Sequence, residues 1–334
     1  MARTIELEGM INIFKKVLAC ISFCAISILP QTANAQQLEK LPIVIFGWPS
    51  LGAVLPPIIK AHKLDAKQGM DIEFVERTPD AYTAQFNSGE FKVGGSAALL
   101  TVGLADLRGV KVAYLFNLFD FYGTIVTSDP QVKSLKDLEG KTLAAARGTT
   151  NFVMANWFAA QQGLDMKKVS VVNTATTGLV GYALANRAEG IQVWEPALTT
   201  IRTKNPAIRD LDLQIAQQWT KFAGSANVPY LGLAAHIDWI GKNPGTVGKL
   251  WQMHKEAADW MQANPEAAAK IITPKGDAES LAGLVALIKA NVRLGVNMKW
   301  AGDIRKEIEQ VYKAGRDIDF LPGNPAASTI YSGK

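Results

Sequence analysis

Two short runs carry the residue types that suit anion chemistry: Gly95-Ser96-Ala97 and Gly148-Thr149-Thr150. Each comes after a strand-like segment and is expected to open a helix. The first N–H groups of a helix have no internal acceptor and carry the positive end of its dipole. Small and hydroxyl-bearing residues at that point let an anion approach them. Ser50 would add a hydroxyl from a loop nearer the N-terminus. Trp48 and Trp194 each end a predicted strand, where an apolar or aromatic body can stack on them. Tyr122 would extend that wall, Asn117 would offer an amide, and Glu195 would pair with an amine. Each also has a plainer reading: helix capping for the hydroxyls, packing for the rings, and capping or solvation for Glu195.

Other chemistries find little to stand on. His62, His236 and His254 are scattered, with no metal-ligand spacing among them. There is no Gly-x-Ser-x-Gly elbow, no P-loop and no Gly-x-Gly-x-x-Gly. No catalytic residue, metal or cofactor is therefore expected. The two cysteines, Cys20 and Cys24, lie close to the N-terminus, and the rest of the chain has none. That removes disulfides, thiolate nucleophiles and thiolate metal sites from the remainder.

The cysteines fall in a leader. Lys15-Lys16 precede thirteen mostly apolar residues, Val17 to Leu29; Pro30 breaks the run and Ala33-Asn34-Ala35 closes it. This is the pattern of a secretory signal peptide cleaved after Ala35, at residues 1–35. The apolar run is too short to span a hydrocarbon core of ~30 Å. Met10 is an alternative start. Arg3, Lys15 and Lys16 against Glu6 and Glu8 leave with the leader, so the net charge falls from +5 to +4. That charge is dispersed, with no basic run to suggest nucleic acid or a membrane surface.

The elements that must position these residues alternate between strand and helix. Strands are expected at Leu41–Trp48, Asp71–Arg77, Phe91–Gly94, Lys111–Phe116 and Gly123–Thr127. The pattern restarts after Asp129-Pro130, with strands at Thr142–Ala146, Val169–Val172, Ile191–Trp194 and Tyr230–Ala235. Beyond Asn243 the chain reads as mostly helical. This is an α/β fold of largely parallel, doubly wound sheets. A weak echo links 84–96 to 182–194: helix, tight turn, short strand, then a loop of small or polar residues. Two similar lobes facing one cleft would produce it.

Several segments, in order, carry a family resemblance across roughly 42–269. They are the Trp48-Pro49-Ser50 loop, Ala84 to Gly89, Gly95-Ser96-Ala97, and Ser134-Leu135-Lys136-Asp137-Leu138-Glu139-Gly140-Lys141. Gly148-Thr149-Thr150, Trp194-Glu195-Pro196 and Asn264-Pro265-Glu266-Ala267-Ala268 complete the series. On these the chain resembles the sulfonate/nitrate/taurine-type solute-binding proteins of ABC importers, a branch of the type II periplasmic binding proteins that also includes thiamine-pyrimidine-like members. The resemblance implies a two-lobed fold, two doubly wound sheets joined by two crossover strands. Lobe one would span 36–126 and 230–334, with C-terminal helices packed back on it, and lobe two 127–229. Hinges are expected near 125–128 and 227–231.

The resemblance further implies a monomeric periplasmic protein that captures a small organic anion and delivers it to an ABC permease and its ATPase. An alkanesulfonate or taurine-like compound is the expected ligand, with an aromatic carboxylate or aminopyrimidine next. A periplasmic sensor or enzyme on the same fold is the rival class. The family's pyrimidine synthase works through a cysteine-rich motif, which this chain lacks.

Overall fold

A computed structural model describes residues 38–333. The expected signal peptide lies outside the described residues. Among the described residues no helix is long and apolar enough to cross a membrane.

Eleven strands form two sheets among the described residues: β1 (Glu39–Phe46), β2 (Met70–Arg77), β3 (Val93–Ala98), β4 (Val112–Asp120), β5 (Thr124–Thr127), β6 (Thr142–Ala145), β7 (Ser170–Asn173), β8 (Gly190–Val193), β9 (Arg209–Leu211), β10 (Pro229–His236) and β11 (Val296–Trp300). The first sheet runs β11-β4-β10-β3-β1-β2 and the second β7-β6-β8-β5-β9. In each, the first three strands of the unit lie in the order second-first-third and pair in parallel. Beside the third strand lies an antiparallel one that arrives from the other half of the chain: β10 in the first sheet, β5 in the second. These are the two crossovers, and the two-lobed architecture is the one the family resemblance implies.

β5 already belongs to the second sheet, so the outward passage lies at 121–123, ahead of the expected 125–128. The return passage lies at 224–228, because β10 begins at Pro229.

Burial explains why these strands form. β3, β4 and β10 are buried along nearly their whole length. They read as apolar or small-residue runs because both faces are covered. The Gly94-Gly95 pair in β3 is set by packing: a Cβ at 94 would meet the Tyr82 hydroxyl at 2.3 Å, and one at 95 would meet Ile45 Cγ2 at 2.9 Å. The second lobe closes around Trp157, Phe158 and Trp219, whose rings meet edge-on or tilted.

The elements bring three corrections. Gly95-Ser96-Ala97 lies inside β3, and the next helix starts at Leu99. The C-terminal region holds a strand, β11, which pairs antiparallel with β4 at the sheet edge. Asn291, in the left-handed conformation at φ 53, ends the preceding helix and turns the chain toward it. The C-terminal helices do not all rest on lobe one. Helix Ala278–Ala290 packs on helix Pro265–Ile272 and also on helix Ala197–Lys204 of the second lobe. Gly283 permits that approach, since a Cβ there would sit 2.8 Å from Thr199 Cγ2.

Candidate functional site

The carboxyl ends of the parallel strands in both sheets open onto one cavity of about 320 Å³. From the first lobe come Phe46–Leu51 at the end of β1, Glu76 to Pro79 at the end of β2, and Ala98 and Thr101 at the end of β3. From the second come Gly148-Thr149-Thr150 after β6, Ala175-Thr176-Thr177 after β7, and Trp194 after β8. Tyr230 and Leu231 of the crossover strand β10 close the floor. A crevice at the carboxyl ends of strands is the usual ligand position in open α/β sheets.

Four helices of eight or more residues begin at this cavity: Pro79–Ser88, Leu99–Leu107, Thr150–Gln161 and Thr176–Leu184. Each contributes N–H groups that its own turns do not use. At Thr150–Gln161 the capping residue Thr149 is fully committed. Its hydroxyl donates to the Ala146 carbonyl at 2.8 Å and accepts from Phe152 N at 3.3 Å. Thr149 therefore shapes the loop, and the backbone N–H groups of Thr150 and Asn151 are left without an acceptor among the described residues. Thr176 and Thr177 stand the same way at the next helix. The hydroxyls of Ser50, Thr101, Thr176 and Thr177 have no protein partner among the described residues, and all four residues line the cavity.

The aromatic walls differ. Trp194 is 6% exposed and held in the second-lobe core, whereas Trp48 is 39% exposed. Burial pushes the Tyr230 phenol up to about 12, with Thr150 and Asn151 pulling it back, so it remains a neutral donor at physiological pH. Two charged side chains reach the rim, Glu76 and Arg77. Arg77 Nε donates to Gln85 Oε1 at 2.7 Å, which fixes the guanidinium beside the cavity.

Six of the expected residues thus come together: Trp48, Ser50, Gly148, Thr149, Thr150 and Trp194. Five do not. Gly95 and Ser96 are interior to β3. Ser96 is fully buried, and its Oγ accepts from Phe46 N at 2.9 Å, joining β1 to β3. Asn117 is also fully buried in β4, with its hydrogen-bonding capacity used: Oδ1 accepts from the Tyr114 hydroxyl and from Tyr230 N, while Nδ2 donates to Asp120 Oδ1 and to the Asn297 carbonyl. Tyr122 faces a separate cavity of about 880 Å³ between the two passages that link the sheets.

Glu195 is 1% exposed and does not line this cavity. It pairs with Arg293 Nη1 at 3.2 Å and accepts from Thr199 N at 2.9 Å. Burial raises its pKa, and the Arg293 charge and the Thr199 amide draw it back down. The pair ties the second lobe to the segment after helix Ala278–Ala290.

Sequence reasoning missed Arg77, Thr101, Tyr230 and the Ala175-Thr176-Thr177 turn. The last had a signal: a Thr-Thr pair after a strand repeats the Gly148-Thr149-Thr150 pattern. The helix that follows starts at Thr176, directly at that pair. Among the described residues no group of three or more metal-ligating side chains assembles. His236 and His254 instead bond backbone carbonyls, of Phe86 and Leu250.

Comparison with known proteins adds to this geometry. Residues 65–268 match the family described as NMT1/THI5 like. The alkanesulfonate-binding protein SsuA of Xanthomonas axonopodis pv. citri, solved bound to MOPS, superposes with a TM-score of 0.68. It is 14% identical, with 88% of this chain and 99% of that one covered. SsuA of Escherichia coli, a periplasmic aliphatic sulphonate binding protein, gives a TM-score of 0.66 at 15% identity, covering 86% of this chain and 95% of its own. The periplasmic nitrate-binding protein NrtA of Synechocystis PCC 6803 gives 0.62 at 16% identity, covering 86% and 83%. At these identities the likeness is one of fold.

Proposed function

We propose that this chain, which belongs to the NMT1/THI5-like family, is the solute-binding component of an ABC importer. It captures a small organic anion, an alkanesulfonate or taurine-like compound, between its two lobes and hands it to a membrane permease and its ATPase. The observation that carries the reading is the convergence of four helix N-termini and unpartnered hydroxyls on one cavity walled by Trp48 and Trp194. The N–H groups hold the oxyanion and the indoles hold the organic body. No bond is made or broken. The periplasm is the corresponding location, in keeping with the likeness to periplasmic binding proteins.

Size argues for an organic body over a bare inorganic ion. A water takes about 30 Å³ of liquid, so a cavity of about 320 Å³ has room for roughly ten. Nitrate or bicarbonate would leave most of that space wet. With Glu195 committed to Arg293, the group that would meet a ligand amine is Glu76. The aromatic walls favour an aromatic carboxylate as a second ligand class for the same cradle.

The test is a thermal-shift panel on the chain from Gln36, unfolded and refolded to strip bound ligand. It would contain taurine, alkane- and arylsulfonates, aromatic carboxylates, aminopyrimidines, nitrate and bicarbonate. A ligand at a thousand times its Kd adds about 4 kcal/mol, or very roughly 8 °C or more. A shift confined to sulfonates or carboxylates, with the ligand recovered unchanged, is expected. Stabilisation only by a neutral or cationic solute would overturn the reading.

A further inference from the structure

A second chamber of about 400 Å³ lies on the other side of Trp48, and Trp48 is the one residue that lines both. Its apolar walls are Pro196 from the second lobe, Pro274 from the loop after helix Pro265–Ile272, and Ile272 and Leu284 from the C-terminal helices. Lys275 stands at its edge, exposed and with no ion-pair partner among the described residues. The chamber lies where helix Ala278–Ala290, through Ser280 and Leu284, meets helix Ala197–Lys204, through Thr199 and Thr200.

Trp48 is among the most exposed large apolar side chains of the described residues. Its indole faces whatever fills the two chambers. The surface it offers runs from the anion cradle on one side to an apolar chamber with a cation on the other.

We infer that the ligand is elongated. Its oxyanion lies at the helix N-termini of the first chamber, its apolar body passes along Trp48, and its far end occupies the second chamber beside Lys275. The chemical class is an organic anion with an extended apolar body, best served by a second anionic group at its distal end. This rests on the anion-binding reading above and sharpens it. A taurine-sized compound would fill only the first chamber.

Isothermal calorimetry with linear alkanesulfonates from ethane- to decanesulfonate tests it, on the chain from Gln36 and on Ser280→Trp. Ser280 lines the second chamber only. Its backbone N–H bond to the capping Asp277 survives the substitution. Once the chain outgrows the first chamber, affinity should rise about two- to fourfold per added methylene. Ser280→Trp should abolish that rise while leaving ethanesulfonate within about twofold, the retained binding showing that the variant is folded. An ω-carboxyalkanesulfonate should bind more tightly than its methyl-ended counterpart, and Lys275→Ala, at an exposed position, should remove that gain. Affinity independent of chain length in the unmodified protein overturns the inference and leaves the anion reading intact. An equal loss for short and long sulfonates in Ser280→Trp overturns it too. Failure of every sulfonate, ethanesulfonate included, and of the aromatic carboxylates beside them would bring down both.

Discussion

Gly95-Ser96-Ala97 and Gly148-Thr149-Thr150 look interchangeable as sequence, and the fold gives them opposite tasks. Ser96 is spent inside the first sheet, where its hydroxyl takes the Phe46 N–H. Thr149 caps a helix, and Thr150 just beyond it, its N–H without an acceptor among the described residues, lines the cavity. The difference lies in the strand pairing available to the residues after each glycine. Ala97 and Ala98 continue a strand that pairs with Leu231 and Gly232 of β10, so the helix cannot start before Leu99. After Gly148 no strand partner is available, and Thr149, extended at φ −99 and ψ 146, begins the helix at once. A small hydroxyl residue marks a ligand only where the fold leaves its neighbours' backbone unpaired. Asn117 and Glu195 repeat the lesson, since the fold consumes both internally.

Substitutions should separate the two tasks, the largest effect first. Ser96→Val should cost about 3–5 kcal/mol of stability, from an unpaired Phe46 N–H and an overpacked contact with Gly52. The Ser96 Oγ lies only 1.9 Å from where a Gly52 Cβ would be. Urea unfolding measures the loss, and the folded fraction should bind ligand as before. A weakened ligand affinity without a stability change would put Ser96 back in the site.

Asp120 offers the next test, because it belongs to the same buried network as Asn117. Burial pushes its carboxyl up to about 6, against the opposing pull of the Asn297 and Asn117 amides and of Lys299. The folded state then holds a proton that the unfolded state has released, so stability should fall as pH rises from about 4 to about 6. The decline should approach 2–3 kcal/mol at roughly 1.4 kcal/mol per unit. Asp120→Asn should flatten it, as tracked by urea midpoints across that range.

Thr150→Pro acts on the other side of the comparison. It deletes one cavity N–H where proline is tolerated at a helix start, and the extended Thr149 suits a proline after it. It should weaken anion binding by about 1–3 kcal/mol, the scale for a hydrogen bond to a charged group, and cost about 1 kcal/mol of stability, because the Thr150 hydroxyl bonds the buried Tyr230 phenol. Thr149→Ala should leave binding largely intact and cost about 1 kcal/mol of stability through the lost cap. Thermal midpoints compared with calorimetric affinities check both.

Much of the architecture was legible because hydrophobic runs and turn residues report local structure directly. The parallel strands, the restart near Asp129-Pro130 and the strand at Tyr230–Ala235 come from that. β11 and β9 were not legible: Val296–Trp300 and Arg209–Leu211 are short and partly polar, and they exist through pairing with β4 and β5. The site divides similarly. Gly148-Thr149-Thr150, Ser50 and the two tryptophans sit at loops that the local pattern marks. Asn117 and Glu195 are decided by partners 180 and 98 residues further along, Asn297 and Arg293. No local pattern in a single sequence reports such partners.

The most direct test is calorimetric titration of Thr150→Pro beside Thr150→Ala, using whichever sulfonate or carboxylate gives the largest thermal shift. Alanine keeps the backbone N–H and removes the hydroxyl; proline removes both. If helix N–H groups hold the anion, proline should lose about 10- to 100-fold in affinity and alanine only a few-fold. Equal affinities in the two variants would contradict the account and take the anion away from that helix.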